Sequence, residues 1–147
     1  MKLLNKDTDC AIRALLHLGL NDGMFVSANT IAAAQGIPAY YLKRILTRLI
    51  QGKILVSKEG VGGGVKLGLK PDAVRVDNII RILQGEIQLS ECLFRGKPCA
   101  NRKACVLRSR IKKIESKVSD EFKKITLRTL LNDIRRAEAG DTVEPAK

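Results

Sequence analysis

Three of the four cysteines of the chain lie close together in the segment ECLFRGKPCANRKACVLR. Six residues separate Cys92 from Cys99, and five separate Cys99 from Cys105. Thiolates bind iron–sulfur clusters, and nearby Lys and Arg side chains lower the pKa of thiols and offset the negative charge of a cluster. The segment therefore favours iron–sulfur ligation, with either a 2Fe–2S or a 4Fe–4S cluster.

The start of the chain does not resemble a signal peptide, and no apolar run approaches the length of a membrane span. We therefore expect a cytoplasmic protein with no membrane partner. Disulfides are rare in that compartment, where thiols bind metals, act in catalysis or sense redox state.

Other uses of the three thiols fit less well. A disulfide leaves one thiol over, and a structural zinc site normally takes four ligands in close pairs such as C-x-x-C, which this segment lacks. A catalytic thiol needs a neighbouring base, and the only histidine, His17, lies in the first predicted helix. We therefore do not expect an enzyme.

A cluster bound by three thiolates has one coordination position left for another residue. His17 is a candidate because its ring nitrogen can bind a metal. The carboxylates of Asp7 and Asp9, at the start of the first predicted helix, could reach a loop of a second subunit. Cys10 stands alone on an apolar helical face and is expected to be a small buried residue.

The first elements are two helices. Apolar residues at helical spacing predict a helix over 9–20, with Thr8 as N-cap and an end at 21–23. Ser27 is the predicted N-cap of a short Ala-rich helix that ends at Gly36.

A third helix and a hairpin follow. AYYLKRILTRLIQG places apolar residues on one face after Pro38, at a position where proline is tolerated, and Gly52 ends the helix. Two β-branched runs in ILVSKEGVGGGVKLGL flank a glycine-rich turn and predict a hairpin. This order is typical of a winged helix-turn-helix, so we expect a mainly α fold with a small β-hairpin wing. An ordinary helical bundle with a hairpin is the alternative.

The charge of the chain indicates a polyanionic partner. Lys and Arg outnumber Asp and Glu by 27 to 15, for a formal net charge of +12. Double-stranded DNA is the expected partner of a winged helix. The predicted DNA-contacting residues are Ser27, Asn29, Tyr40, Tyr41, Lys43, Arg44, Thr47, Arg48, Lys58, Gly62, Gly63 and Gly64. A basic RNA-binding or ribosome-associated protein with structural cysteines is the alternative.

The rest of the chain predicts a helix ending near Gly85, the cysteine segment, a long helix from about Ala104 and a short final helix capped by Thr126. Apolar residues of the long helix step by 4, 3, 4, 4 and 3, at Leu107, Ile111, Ile114, Val118, Phe122 and Ile125. Such a narrow stripe favours pairing with a like helix in a homodimer over packing on its own domain.

The chain is predicted to divide into four parts. They are a winged helix-turn-helix DNA-binding domain at 1–85, a cysteine loop at 86–105, a dimerisation helix with the short terminal helix at 106–135, and a disordered tail at 136–147.

Three motifs in this order resemble a known family. RLIQGKILVSKEGVGGGVKLG, CLFRGKPCANRKAC and FKKITLRTLLND are similar to segments of the winged-helix iron–sulfur transcription regulators that include IscR and NsrR. The resemblance covers nearly everything from Met1 to Asp133. It implies a homodimer whose long helices cross, with a cluster held by Cys92, Cys99 and Cys105 beside the DNA-binding domain of the partner.

The resemblance also bears on the fourth ligand. Arg108 stands where the IscR branch has a histidine, whereas TDCAIRAL places Asp9 at the aspartate that the nitric-oxide-sensing branch supplies from the other subunit. Asp9 is therefore the expected fourth ligand. The chain departs from the family in its first cysteine gap, which is more usually five residues, and in Lys43, where IscR-type proteins carry a glutamate involved in site choice.

The expected function is that of a DNA-binding transcriptional regulator, and of a repressor in particular. Its affinity for an operator would depend on an iron–sulfur cluster that senses nitric oxide, redox state or iron–sulfur supply.

Overall fold

The computed structural model of the protein describes residues 3–21, 23–90 and 105–140. Its elements are α1 (Lys6–Leu20), α2 (Ala28–Gln35), α3 (Ala39–Gln51), β1 (Leu55–Lys58), β2 (Gly64–Leu67), a short 3-10 turn (Pro71–Ala73), α4 (Val76–Gln84), α5 (Val106–Lys124) and α6 (Leu127–Glu138). The first three helices and the hairpin form a winged helix, which confirms the predicted fold class. Across the described ranges, no helix is both long and apolar enough to cross a bilayer.

Helix α1 begins earlier than the sequence pattern predicts. Its N-cap is Asn5, whose side-chain oxygen accepts a hydrogen bond from the Thr8 backbone N–H at 2.9 Å. Thr8 was expected to be the cap, but it lies inside the first turn, fully buried, and its hydroxyl donates to Gln84 Oε1 at 2.9 Å. Asn and Thr are both common N-cap residues. The hydrogen bond from Thr8 to Gln84 of α4 places Thr8 inside the helix and leaves Asn5 as the cap.

Helices α2 and α3 form the predicted helix-turn-helix. The Ser27 hydroxyl caps α2 by accepting a hydrogen bond from the Thr30 N–H at 3.1 Å. Gly36 ends α2 with a φ of 62°, a left-handed conformation that glycine adopts without steric penalty. The residues that α3 buries are Leu42, Ile45, Leu46 and Leu49. Because this face packs against α1 and α2, the opposite face of α3 points outward.

The hairpin forms the wing, and a further short segment pairs with it. Strands β1 and β2 are antiparallel, with Leu55 opposite Leu67. Val26 and Val65 form a bridge in which each backbone N–H donates to the carbonyl of the other at 2.9 Å. A Cβ at Gly64 would collide with the Val26 carbonyl, so this close approach requires glycine. The wing is thereby fixed to the start of α2.

Helix α6 returns to the core of the winged helix. Leu127 and Leu131 are buried in the same hydrophobic cluster as the apolar residues of α1. A Cβ at Gly19 would lie 2.8 Å from a Leu131 methyl group, so the glycine allows α6 to lie close to α1. Thr126 caps α6 as predicted, because its hydroxyl accepts a hydrogen bond from the Thr129 N–H at 3.1 Å.

The predicted tail at 136–147 begins too early. Helix α6 continues to Glu138, since Arg135, Arg136, Ala137 and Glu138 are all good helix formers. Residues 141–147 lie outside the described part of the chain.

Helix α5 differs from the other α-helices because none of its residues is buried. It contacts α4, yet much of its predicted apolar stripe remains accessible. Leu107 and Ile114 are 67% and 51% exposed.

Candidate nucleic-acid interface

The outward face of α3 presents a strip of polar side chains. Tyr40, Lys43 and Thr47 are exposed, and their spacing of three and four residues places them on one side of the helix. Ser27 and Asn29 are exposed at the adjoining N-terminal end of α2. These five predicted DNA-contacting residues therefore lie on accessible surface.

Tyr41 and Arg44, two further residues predicted to contact DNA, are bound to α1. The Tyr41 hydroxyl donates a hydrogen bond to the Asp7 carboxylate, and Arg44 Nη2 lies 3.3 Å from the same Asp7 oxygen, Oδ1. The Arg44 guanidinium and the Lys6 ammonium lie 5.0 and 5.3 Å from the centroid of the Tyr41 ring. The hydrogen bond to Asp7 raises the pKa of Tyr41 above its ordinary value, because it stabilises the protonated phenol beside a negative charge.

Arg48 departs most from the predicted interface. Its Nη1 donates to the Leu83 carbonyl at 2.9 Å, and its Nη2 donates to the Ile82 carbonyl. Both carbonyls belong to the last turn of α4, where acceptors lack helical partners and a cation is favourable. The guanidinium therefore ties α3 to α4, and we leave Arg48 out of the proposed DNA-contacting residues.

The wing carries two lysines beside an aromatic ring. Lys66 Nζ lies 4.7 Å and Lys58 Nζ 6.0 Å from the centroid of the Phe25 ring. Cation–π attraction over these distances favours positions of both ammonium groups next to the ring. Phe25 is not among the residues predicted from the sequence. The sequence shows only an aromatic residue shortly before the predicted cap Ser27. Phe25 lies beside the wing because its neighbour Val26 pairs with Val65 of strand β2.

The glycines of the wing shape the turn between its strands. Gly60 and Gly62 have φ values of 88° and 71°, which favour glycine, and Val61 between them is fully exposed. The Gly63 N–H donates to the Gly60 carbonyl at 3.0 Å, so this N–H is used within the turn. Gly64 makes the close approach to Val26 described above.

Two of the candidate metal ligands are accessible. Cys105 is exposed at the N-cap position of α5, and Asp9 is exposed in the first turn of α1, with its carboxylate 3.1 Å from Arg13 Nε. Cys92 and Cys99 lie outside the described residues, within which no group of three or more metal-binding side chains occurs. Cysteine sulfur is the usual ligand of iron–sulfur clusters, and carboxylate oxygen is also an iron ligand in proteins. The donor chemistry of Cys105 and Asp9 therefore suits an iron centre.

The other candidates are less accessible or already occupied. Cys10 is 6% exposed, as expected for a small core residue, and burial, aided by the Asp9 carboxylate, raises its pKa. Asp7 is bound to α3, and His17 is half-buried within α1. Asp9 is therefore the more exposed of the two carboxylates in the first turn of α1.

Comparisons with known proteins bear on this arrangement. A family model named Rrf2 and described as an iron-dependent transcriptional regulator matches residues 4–133. The chain belongs to the Rrf2 family. This confirms the resemblance found in the sequence, and it identifies the protein as a transcriptional regulator, with helix-turn-helix regulators and not enzymes as its relatives.

Several relatives of this Rrf2 protein extend over most of its length. An HTH-type transcriptional regulator of Haemophilus influenzae is 32% identical over 133 residues, which is 90% of this chain and 87% of the relative. IscR of Aliivibrio salmonicida is 29% identical over 96% of this chain and 83% of its own. The structure of CymR, the global cysteine regulator of B. subtilis, superposes with a TM-score of 0.71 at 26% identity, covering 90% of this chain and 98% of that one.

Proposed function

We propose that this Rrf2 protein is a homodimeric repressor whose affinity for operator DNA depends on an iron–sulfur cluster. The observation that carries the proposal is a difference in accessibility among the candidate ligands. Cys105 and Asp9 are exposed, whereas Cys10, the cysteine outside the cluster segment, is buried. The family description as iron-dependent and the similarity to IscR support the same conclusion.

The proposed ligands are Cys92, Cys99 and Cys105 of one subunit and Asp9 of the other. A cluster held by these residues would link the two subunits, and nitric oxide, oxygen or a shortage of iron would break that link. Asp9 contacts only Arg13 among the ion pairs of the described residues, and both side chains are 56% exposed, so little free energy opposes an exchange of partner.

The long helix α5 supports the dimer. It has no buried residue, and its stripe of apolar side chains continues from Leu107 to Ile125. Pairing of two such stripes would remove apolar surface from water at roughly 25 cal/mol per Å². The N-terminal end of α5 carries Cys105, so the proposed dimer interface and the proposed cluster site adjoin each other.

The winged helix supports the contact with DNA. Tyr40, Lys43 and Thr47 on α3 would enter the major groove, Ser27 and Asn29 at the start of α2 would meet the backbone, and the wing with Lys58 would lie along the adjoining sugar-phosphate. In a symmetric dimer two such surfaces meet two half-sites, so a change in their relative position changes operator affinity. A coupling of about 1–3 kcal/mol, or roughly 5- to 150-fold in affinity, is typical of such control.

Anaerobic purification with iron and sulfide assays tests the proposal. We expect a coloured wild-type protein, loss of iron in Cys105→Ser and weaker iron retention in Asp9→Ala. Cys10→Ser is the matched control, because it removes a buried thiol and should keep the iron. Promoter binding, measured in the same samples before and after nitric oxide, should change only in proteins that hold iron. A protein that stays iron-free after reconstitution contradicts the cluster.

Two other functions remain distinguishable by these measurements. The similarity to CymR, named as a cysteine regulator, favours as second candidate an Rrf2 regulator that responds to sulfur metabolism without iron. Sequence-specific promoter binding by an iron-free protein would support it. The RNA-binding alternative predicts equal affinity for random RNA and promoter DNA at raised salt, where specific DNA complexes persist longer.

A further inference from the structure

We propose that Asp7 is an internal competitor of DNA phosphate, which holds Arg44 of α3 on its own subunit and so lowers the affinity of the protein for duplex DNA. The inference rests on the proposed placement of α3 against DNA. It adds a positioning residue from α1, outside the predicted DNA-contacting residues.

Among the described residues, the side-chain hydrogen bonds of Asp7 go to α3. Its Oδ1 accepts hydrogen bonds from the Tyr41 hydroxyl and, at 3.3 Å, from Arg44 Nη2. The Asp7 side chain is 22% exposed, whereas that of Arg44 is 62% exposed. The carboxylate is thus mostly enclosed, and the guanidinium remains open to solvent on its other side.

This geometry has an electrostatic consequence. An arginine paired with a carboxylate contributes little net charge, and a phosphate that approaches it also meets the charge of Asp7. The Tyr41 ring, 5.0 Å from the guanidinium, further restrains Arg44 at its present position. While Arg44 is paired with Asp7, it therefore attracts a phosphate less strongly than an unpaired arginine would.

The position of Asp7 also relates it to the proposed cluster ligand. Asp7 and Asp9 lie in the same first turn of α1. Side chains two positions apart in an α-helix point about 200° apart around its axis. Asp7 accordingly contacts α3, while Asp9 is exposed to solvent. A displacement of this turn by a new partner of Asp9 would change the distance from Asp7 to Arg44, and with it the charge that α3 offers to DNA.

Fluorescence anisotropy with a labelled duplex of scrambled sequence, over a series of salt concentrations, tests the inference on the full chain. Asp7→Asn keeps the shape and one acceptor for Tyr41 but removes the charge. We expect its slope of log affinity against log salt to steepen by about 0.9, the value for one added phosphate contact. Affinity at low salt should rise about two- to fivefold, which corresponds to the loss of an ion pair whose arginine is exposed to solvent.

Two further variants separate the competitor role from a general effect of charge. Asp120→Asn makes the same charge change on α5, where Asp120 pairs with Lys123, and should leave the slope unchanged. In the double variant Asp7→Asn/Arg44→Gln the gain should disappear. An unchanged slope in Asp7→Asn, or a gain that survives the loss of Arg44, overturns the inference.

A measurement without DNA keeps the two proposals apart. The NMR signal of the Arg44 Nε–H group in the free protein should shift in Asp7→Asn and not in Asp120→Asn. If that shift occurs but wild type and variants all fail to bind duplex, the DNA-contacting role of α3 is rejected and the competitor role with it. If wild type binds and Asp7→Asn binds identically, only the competitor role is rejected.

Discussion

The side chain of Gln84, the last residue of α4, accepts a hydrogen bond from the buried hydroxyl of Thr8 in α1 at 2.9 Å. The same Gln84 oxygen accepts from the Asn5 N–H at 3.1 Å, and its amide nitrogen donates to the Leu3 carbonyl at 2.8 Å. One glutamine therefore connects the start of α1, which carries Asp9, to the end of α4, after which the chain continues toward the cysteine segment.

Replacing Gln84 by Ala should lower the free energy of unfolding by about 1–3 kcal/mol, because the Thr8 hydroxyl is left buried without its acceptor. Urea denaturation of the iron-free protein measures the change. Gln88→Ala is the matched control, since Gln88 is exposed, and we expect an effect within about 0.5 kcal/mol. Equal stability of the two variants would show that the Gln84 contacts contribute nothing.

Arg48 and Lys43, both on α3, should respond in opposite ways. Arg48→Ala removes two hydrogen bonds from a charged donor to the end of α4, so unfolding should become easier by about 1.5–3 kcal/mol. Lys43→Ala should leave stability within about 0.5 kcal/mol but weaken duplex binding and lower its salt dependence, because it removes an exposed cation from the side of α3 that would face the major groove. Thermal unfolding and anisotropy titrations on both variants check this. If Arg48→Ala flattens the salt dependence at unchanged stability, Arg48 contacts DNA after all.

The two described cysteines should differ in reactivity toward iodoacetamide. Cys105 is exposed, whereas Cys10 is buried with a pKa raised above its ordinary value. Because folding raises this pKa, burial of the protonated Cys10 thiol contributes its full stabilisation below the ordinary thiol pKa. That contribution is lost as pH rises through the raised pKa of the folded protein. We therefore expect Cys10 to remain protected between about pH 7 and pH 8.5.

Peptide mass spectrometry of the iron-free protein measures this protection, and urea-unfolded protein is the control in which both peptides should be modified. Modification of Cys10 as fast as Cys105 under native conditions would mean that α1 does not bury Cys10 in solution.

The apolar stripe of α5 should determine the oligomeric state. Leu107→Ser and Ile114→Ser remove exposed apolar side chains, so they should turn the proposed dimer into a monomer while the winged helix stays folded. Analytical ultracentrifugation and circular dichroism measure the two effects. Lys117→Ser alters an exposed residue of the same helix outside the stripe and should leave the dimer intact. A dimer that survives both stripe substitutions would place the subunit contact elsewhere.

Local sequence patterns predicted the helix-turn-helix and its ends well, because each end depends on residues close in the chain. Ser27 and Gly36 act as a cap and a left-handed stop through bonds that span three to five residues. Thr8 shows the limit of that reasoning. Its local context suits a cap, but its partner is Gln84, 76 residues away.

In the candidate site, too, local features were predictable from the sequence and long-range contacts were not. The sequence alone determined that three thiols lie in one basic segment, that α3 is amphipathic and that the chain resembles a family of regulators, because these properties depend on residue type and spacing. Only the tertiary structure decided that Arg48 binds the end of α4, that Asp7 holds Arg44, and that Phe25 lies beside the wing lysines. The physical reason is that side-chain contacts between distant elements depend on how the helices pack, and the periodicity of one helix does not encode the partner that it meets.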